Sequence, residues 1–268
     1  MGRRVRRVIR SDTPWARPFW VWVAVLTGQG LSVFQHHSDQ SVLTDLPRIS
    51  NRLRLLNVWL PGPVDPAQIE QMLRLEVLEL WSPMTRPISL DKHLRLREIV
   101  VAERGKVSQV VSAFGLERLR VLDLHGASTA ELELVRAPIE ELYIRRPPSR
   151  VPLFFVAHNL RILVLAEKRG PVEISDLSLA VNLEELSLLH LSGRVTGFGS
   201  VADLAALREV HIVGVQHLDK PSAALEIANL NNFRAWGVHQ FPPNVFKTFK
   251  RRGITVSGAG NPSAVAED

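Results

Sequence analysis

His36-His37-x-Asp39 places three metal-ligand side chains within four residues, and Asp123, His125 and Tyr143 offer an acid, a base and a phenol that a sheet could bring together. The first trio has the donor types of a transition-metal site. The second has the types that move protons. Neither is complete: the histidines stand in a polar linker, and no nucleophile accompanies the second group. G-x-x-x-x-G-K-[ST], G-x-S-x-G, H-E-x-x-H and the dinucleotide fingerprint are all absent. Thr27-Gly28-Gln29-Gly30 reads as a hairpin turn rather than a phosphate loop. The expectation is a non-catalytic chain with no metal and no cofactor.

Charge offers a different chemistry. Arg3, Arg4, Arg6, Arg7 and Arg10 could contact phosphates, and they supply five of the net six positive charges, leaving about +1 for the other 258 residues of the 268. Nucleic acid or an anionic surface is therefore an alternative partner, through this arm and not through the nearly neutral rest of the chain. Arginine outnumbers lysine 27 to 6, the bias of a GC-rich bacterial genome. The chain has no cysteine, so it has no disulfide frame or thiolate chemistry. The longest apolar run, residues 19–26, is eight residues long, well short of the roughly 20 that span a bilayer. No small-x-small cleavage site follows it, and a cytoplasmic, non-membrane protein is expected.

The elements that must position these side chains are repeats. Leu53-x-x-Leu56-x-Val58 returns at Leu75, Leu96, Leu119, Ile139, Leu160, Leu183 and Leu207, with a worn copy at Leu230-x-x-Phe233. The spacings are 22, 21, 23, 20, 21, 23, 24 and 23 residues, the signature of a solenoid. A single copy buries too little apolar surface to offset its ordering entropy, so copies must stack.

Each copy should open on a short strand and return along the other side. Asp65-Pro66-Ala67-Gln68 has the cap and proline of a helix start, and Val107, Val110, Val111 and Phe114 fall at helical spacing. Arg145-Arg146-Pro147-Pro148 should be extended. Residues 1–14 read as a basic flexible arm and 15–52 as a cap and linker, the cap a β-hairpin of residues 19–26 and 31–35. The repeats occupy 53–241. Residues 242–256 form a C-terminal cap: a helix with Val245, Phe246 and Phe249, closed by Gly253, then an edge strand at Ile254-Thr255-Val256. A disordered tail takes 257–268.

The L-x-x-L-x-L spacing over residues 53–236 resembles the leucine-rich-repeat family. The resemblance implies an α/β solenoid with a parallel concave β-sheet, a mixed helical and extended convex side, and partner binding on the concave face. It departs from the family where asparagine often bonds the turn: those positions hold Pro61, Pro83, Arg104, Ala127, Pro147, Lys168, Leu191 and Val215. The turns must be satisfied by other means.

Because strand side chains alternate, the residues between the leucines should face the concave surface. They supply Trp59, Glu79, Trp81, Glu98, Asp123, His125, Glu141, Tyr143, Arg145, Glu185, Glu209, His211, Arg234 and Trp236 as candidate partner-binding residues. Trp59 and Trp81 fall in one column, either as a partner anchor or beneath the N-terminal cap. The acids either face a basic protein or bridge to Arg97, Arg120, Arg161 and Arg208. Eight gaps of about 4.8 Å give roughly 38 Å of sheet, which suits a folded protein better than a metabolite. The expected function is a protein-binding module. A bacterial inhibitor or immunity protein that masks a toxin or effector is its sharper form. The alternatives are binding through the arginine arm and a structural scaffold within a larger assembly.

Overall fold

The computed structural model describes residues 31–34, 53–59, 62–237, 241 and 244–257. The arginine arm, the residues 19–26 half of the expected hairpin, the His36-His37-x-Asp39 trio and residues 258–268 lie outside them. The chain divides into two compact units, Met1–Leu119 and Arg120–Asp268.

In the first unit four strands pair in parallel: β1 (Leu31–Phe34), β2 (Leu55–Trp59), β3 (Val77–Leu80) and β4 (Glu98–Val101). Leucine-like positions set the register, with Leu56 against Leu78 against Ile99 and Val58 against Leu80 against Val101. All six are 2% exposed or less, so a one-residue slip would turn the whole set out to solvent. β1, expected as half of a hairpin, extends the same ladder in parallel, with Leu31 against Leu56 and Val33 against Val58.

The first-unit returns are short. Asp65 accepts from the Ala67 amide at 3.0 Å and starts the single turn of α1 (Ala67–Glu70). The valines at helical spacing form two 3₁₀ turns, Val107–Gln109 and Val111–Gly115, instead of an α-helix. The reason lies in the side chains that tie this segment to its neighbour. Gln109, buried, accepts from the Met84 amide at 3.0 Å and donates to the Met84 carbonyl at 2.6 Å. Ser112 does the same for the Leu90 amide and the Ile88 carbonyl, at 2.9 and 2.7 Å. Gln109→Leu strands both buried Met84 groups and is expected to cost about 1–3 kcal/mol, read as a lower urea midpoint with an unchanged slope.

Glu70 closes the same side. It accepts from both terminal nitrogens of Arg86 at 2.6 and 2.8 Å and from the Ser89 amide at 2.9 Å. The Arg86 hydrogen bond is the main cause that holds its carboxyl at about 2, against an ordinary 4.5. The folded-state value is the lower one, so this stabilisation is fully present above about pH 4.5 and lost as pH falls toward 2. The pair is partly solvated, so Glu70→Gln should cost about 1 kcal/mol or less at pH 7. The melting-temperature gap to wild type should close between pH 5 and pH 2.

The second unit carries two parallel sheets. The larger runs β5 (Val121–His125), β6 (Glu141–Arg145), β8 (Ile162–Lys168), β10 (Glu185–Leu191), β12 (Glu209–Val213), β14 (Asn232–Trp236) and β15 (Thr255–Ser257). The smaller is built from returns: β7 (Arg150–Pro152), β9 (Val172–Ser175), β11 (Arg194–Thr196) and β13 (His217–Leu218). In the proline-rich return after β6, expected to be extended from Arg145 to Pro148, Arg146 is left-handed at φ +52° and the extended segment is β7, past the two prolines. An α-turn occurs where a capping box supports one: α2 (Thr129–Leu132) begins with Ser128 and Glu131 bonded reciprocally. The last described helix, α3 (Val245–Arg251), ends at Gly253, whose φ of +76° lets the Ile254 amide reach the Phe249 carbonyl.

Backbone replaces the missing asparagine. Two residues beyond the third leucine-like position, each second-unit copy holds a left-handed residue: Gly126, Arg146, Glu167, His190, Gly214 and Gly237. The amides of Gly126, Arg146 and Gly214 donate across to the carbonyls of Arg145, Ala166 and Trp236, each at 2.8 Å. Three of the six are not glycine, and each of those holds a backbone conformation that costs roughly 1 kcal/mol.

Candidate protein-binding face

The strands turn every second side chain outward, into three columns per unit. In the first unit the structure moves one expected site residue. Glu79 is buried at 3% exposure, not outward in solvent, and accepts from Asn57 Nδ2 at 2.6 Å. A carboxylate out of water must be held by donors, which makes Glu79 part of the packing. Trp59 stands 46% exposed. Trp81, beside it in the column, is half-buried, and its Nε1 has no hydrogen-bond partner among the described residues. Glu98 is half-buried at the start of β4.

In the second unit the register assembles the remaining candidates. The first column reads Val121, Glu141, Ile162, Glu185, Glu209, Asn232. The middle column reads Asp123, Tyr143, Val164, Ser187, His211, Arg234, and the third His125, Arg145, Ala166, Leu189, Val213, Trp236.

The expected grouping of Asp123, His125 and Tyr143 separates in its bonding. Tyr143 Oη donates to Glu141 Oε2 at 2.9 Å; burial and then this bond push the phenol's pKa up. Asp123 instead faces Arg145 Nη2 at 3.4 Å; burial raises its carboxyl against that pull. His125 is half-buried beside them.

Further along, His211 sits between two carboxylates, with Nδ1 3.9 Å from Glu185 and Nε2 3.6 Å from Glu209. Ser187 Oγ lies 3.5 Å from His211 Nδ1, but it is 3% exposed and donates to Glu185 at 3.1 Å. That geometry positions the histidine; it does not present an activated hydroxyl to solvent. Arg234 Nε donates to Ser257, and Trp236 is 47% exposed.

The flanking arginines bridge directly to a neighbouring set of acids. Arg54 bridges to Glu76, and Arg120 and Arg161 to Glu140 and Glu184, the last two each one position before an outward acid. The hydrogen bonds of Glu141, Glu185 and Glu209 run to Tyr143, Ser187 and Asn232, His211 stands within ion-contact distance of Glu185 and Glu209, and the Arg161 charge acts on Glu141 through space. Sequence reasoning also passed over an apolar centre. β8 turns Ile162 and Val164 outward, with Ala166 close under the same surface at 8% exposure, and Leu189 and Val213 continue the row from Ala166. The signal was an outward set with no polar member.

Among the described residues, no group of three or more histidines and acids is placed to hold a metal, and no helix is long and apolar enough to cross a membrane.

Among the described residues, nine inward trios return every 20–24 residues, each with its first member two residues before a strand and the other two on it, and each strand pairs in parallel with a neighbour in its own unit. This is the leucine-rich-repeat fold. No family model matches it. It is 31% identical over 153 residues, 55% of this chain, to the volume-regulated anion channel subunit LRRC8E of Homo sapiens, and it spans 17% of that protein's length. Among solved structures it is similar to internalin C2 of Listeria monocytogenes, at 14% identity and TM-score 0.46 over 83% of this chain and 84% of that one. An internalin (inlF) of the same species gives 14% and 0.47 over 87% and 80%. A Leptospira interrogans leucine-rich-repeat protein gives 18% and 0.46 over 87% and 70%.

Proposed function

We propose that this leucine-rich-repeat chain recognises a basic protein through the outward face of its second unit, and that it acts as an inhibitor or immunity protein masking a toxin or effector. One observation carries the reading. An apolar centre at Ile162, Val164, Ala166, Leu189 and Val213 is bordered by Glu141, Glu185 and Glu209, whose hydrogen bonds come from neutral donors, and by the aromatic rings of Tyr143 and Trp236. A dry centre, a charged rim and aromatic anchors are the anatomy of a protein interface. A nuclease fits the charge, because its substrate-binding surface is basic and would be covered by this rim.

The test reverses the rim. Glu141→Lys, Glu185→Lys and Glu209→Lys together should abolish retention of the partner from extracts of the native host, while the melting temperature stays within a few degrees of wild type. Unchanged retention would remove the face from consideration.

A second reading rests on the five arginines of the first ten residues. Deleting residues 1–10 should leave protein binding intact and remove any salt-sensitive binding to nucleic acid or anionic vesicles. Trp59, with Trp81 beside it, is proposed as a secondary contact for the same partner.

A further inference from the structure

We infer that the element of the partner that seats on the second-unit face is a single amphipathic α-helix, laid across the strands, with a basic stripe and an apolar stripe side by side. The inference rests on the reading of that face as the binding surface and adds the shape of its occupant.

The width of the face sets the first constraint. First- and third-column residues are four positions apart along a strand, about 13 Å. A helix with its side chains is about 10–12 Å across. Between the two columns the floor is low at its centre, formed by Val164 and the buried Ser187, while Tyr143 and Arg234 stand toward the ends. One helix fills that channel and reaches both columns.

The repeat distance sets the second. From β6 to β14 there are four inter-strand gaps, about 19 Å, the length of about 13 helical residues. Glu141 and Glu185 are separated by two gaps and Glu185 and Glu209 by one, about 9.6 and 4.8 Å. Helical residues seven and then four apart advance about 10.5 and 6 Å on one face, so three basic side chains meet three carboxylates in step. Ala166, Leu189, Val213 and Trp236 form an apolar row in the third column at one residue per gap. A helix matches this row at about one residue per turn. An extended peptide laid the same way places alternate side chains about 6.6 Å apart and falls out of step within two strands.

Past Arg145, which opens the third column at β6, and apart from Ile162 in the first, charge and apolarity are segregated by column, which fixes the occupant's chemistry. The acids lie at the strand-entry edge and the apolar row at the strand-exit edge. A helix with adjacent basic and apolar stripes satisfies both.

The experiment titrates the full chain with two synthetic peptides of equal length and charge. One is an alanine-based helix of about 13 residues, with lysines at seven- and four-residue spacing and leucines one position further round. The other carries a central proline that prevents the helix. Calorimetry should show the helical peptide binding at least tenfold tighter than the proline peptide. Glu141→Lys/Glu185→Lys/Glu209→Lys, and separately Leu189→Asp, should each weaken it tenfold or more, with circular dichroism confirming that the variants are folded. Two results overturn the helical occupant and leave the face standing: equal affinity of the two peptides with loss in both variants, or no binding of either peptide while the variants abolish retention of the native partner. Binding indifferent to both variants overturns the occupant and the face together.

Discussion

A single methyl added at Gly193 is expected to cost the protein about 1–3 kcal/mol or more, although the residue lies on the surface side of the fold and touches no candidate site. The position lies two residues after β10 and leads directly into β11. A β-carbon built there falls inside the van der Waals envelope of the Gly170 carbonyl and 2.6 Å from the Pro171 nitrogen. Both obstacles are backbone, and they belong to the turn that carries the chain from β8 to β9. Relief requires one turn to move against the other, which shifts the rungs of both sheets, and overpacking of this kind costs 1–3 kcal/mol or more. Gly197→Ala should behave similarly. Its added methyl meets the Ile174 carbonyl, and its φ of +92° is one that L side chains rarely adopt. Gly199→Ala is the control, because its methyl meets the flexible Lys220 side chain at 2.8 Å and should change the urea midpoint little. Near-wild-type stability for Gly193→Ala would show that the two turns do not stack as closely as this.

These positions mark the boundary of what the sequence makes legible. Leucine spacing is sufficient for the strands because register in a half-buried sheet follows from which side chains must be dry. Leu142 finds Leu163 and Leu163 finds Leu186 on that rule alone. The smaller sheet lacked any such signal. Its strands are two to four residues long and held by the pairing of adjacent returns, which no local pattern encodes. Left-handed backbone at Gly126 or Gly214 could have been suspected from glycine. At Arg146, Glu167 and His190 the residue type argues against it, and neighbouring copies impose the conformation.

The site shows the same division. Alternation placed Glu141, Tyr143, Glu185, His211 and Trp236 in outward columns, and the register brings them together. Alternation could not foresee that Glu79 is withdrawn into the packing with Asn57, because exposure at an outward position depends on what lies over it. Nor could it show that Arg120 and Arg161 bridge directly to Glu140 and Glu184, while the hydrogen bonds of the outward acids come from neutral donors. A shift of one residue along the strand decides which acid an arginine bridges directly.

Phe233→Ala is expected to remove about 3–5 kcal/mol, and to remove it unevenly. Phe233 occupies the middle leucine position of the worn last copy, fully buried. Its ring meets Phe249 at 4.7 Å, Phe241 at 5.2 Å and Phe246 at 6.2 Å between centroids. It therefore anchors α3 and Phe241 to β14. In a repeat array each copy leans chiefly on its neighbours, so loss at an end loosens that end first. Amide exchange should accelerate in β14 and β15 while β6 and β8 keep their protection; uniform acceleration along the chain would show a single cooperative unit instead. The consequence for function follows from what β14 carries. Asn232 bonds Glu209, and Arg234 and Trp236 end the middle and third columns. A chain frayed at β14 keeps Glu141, Glu185 and the apolar strip of β8 but loses the exposed indole at the end of the row. Partner affinity in Phe233→Ala should fall to that of Trp236→Ala rather than disappear, a comparison that calorimetry on the two variants makes directly.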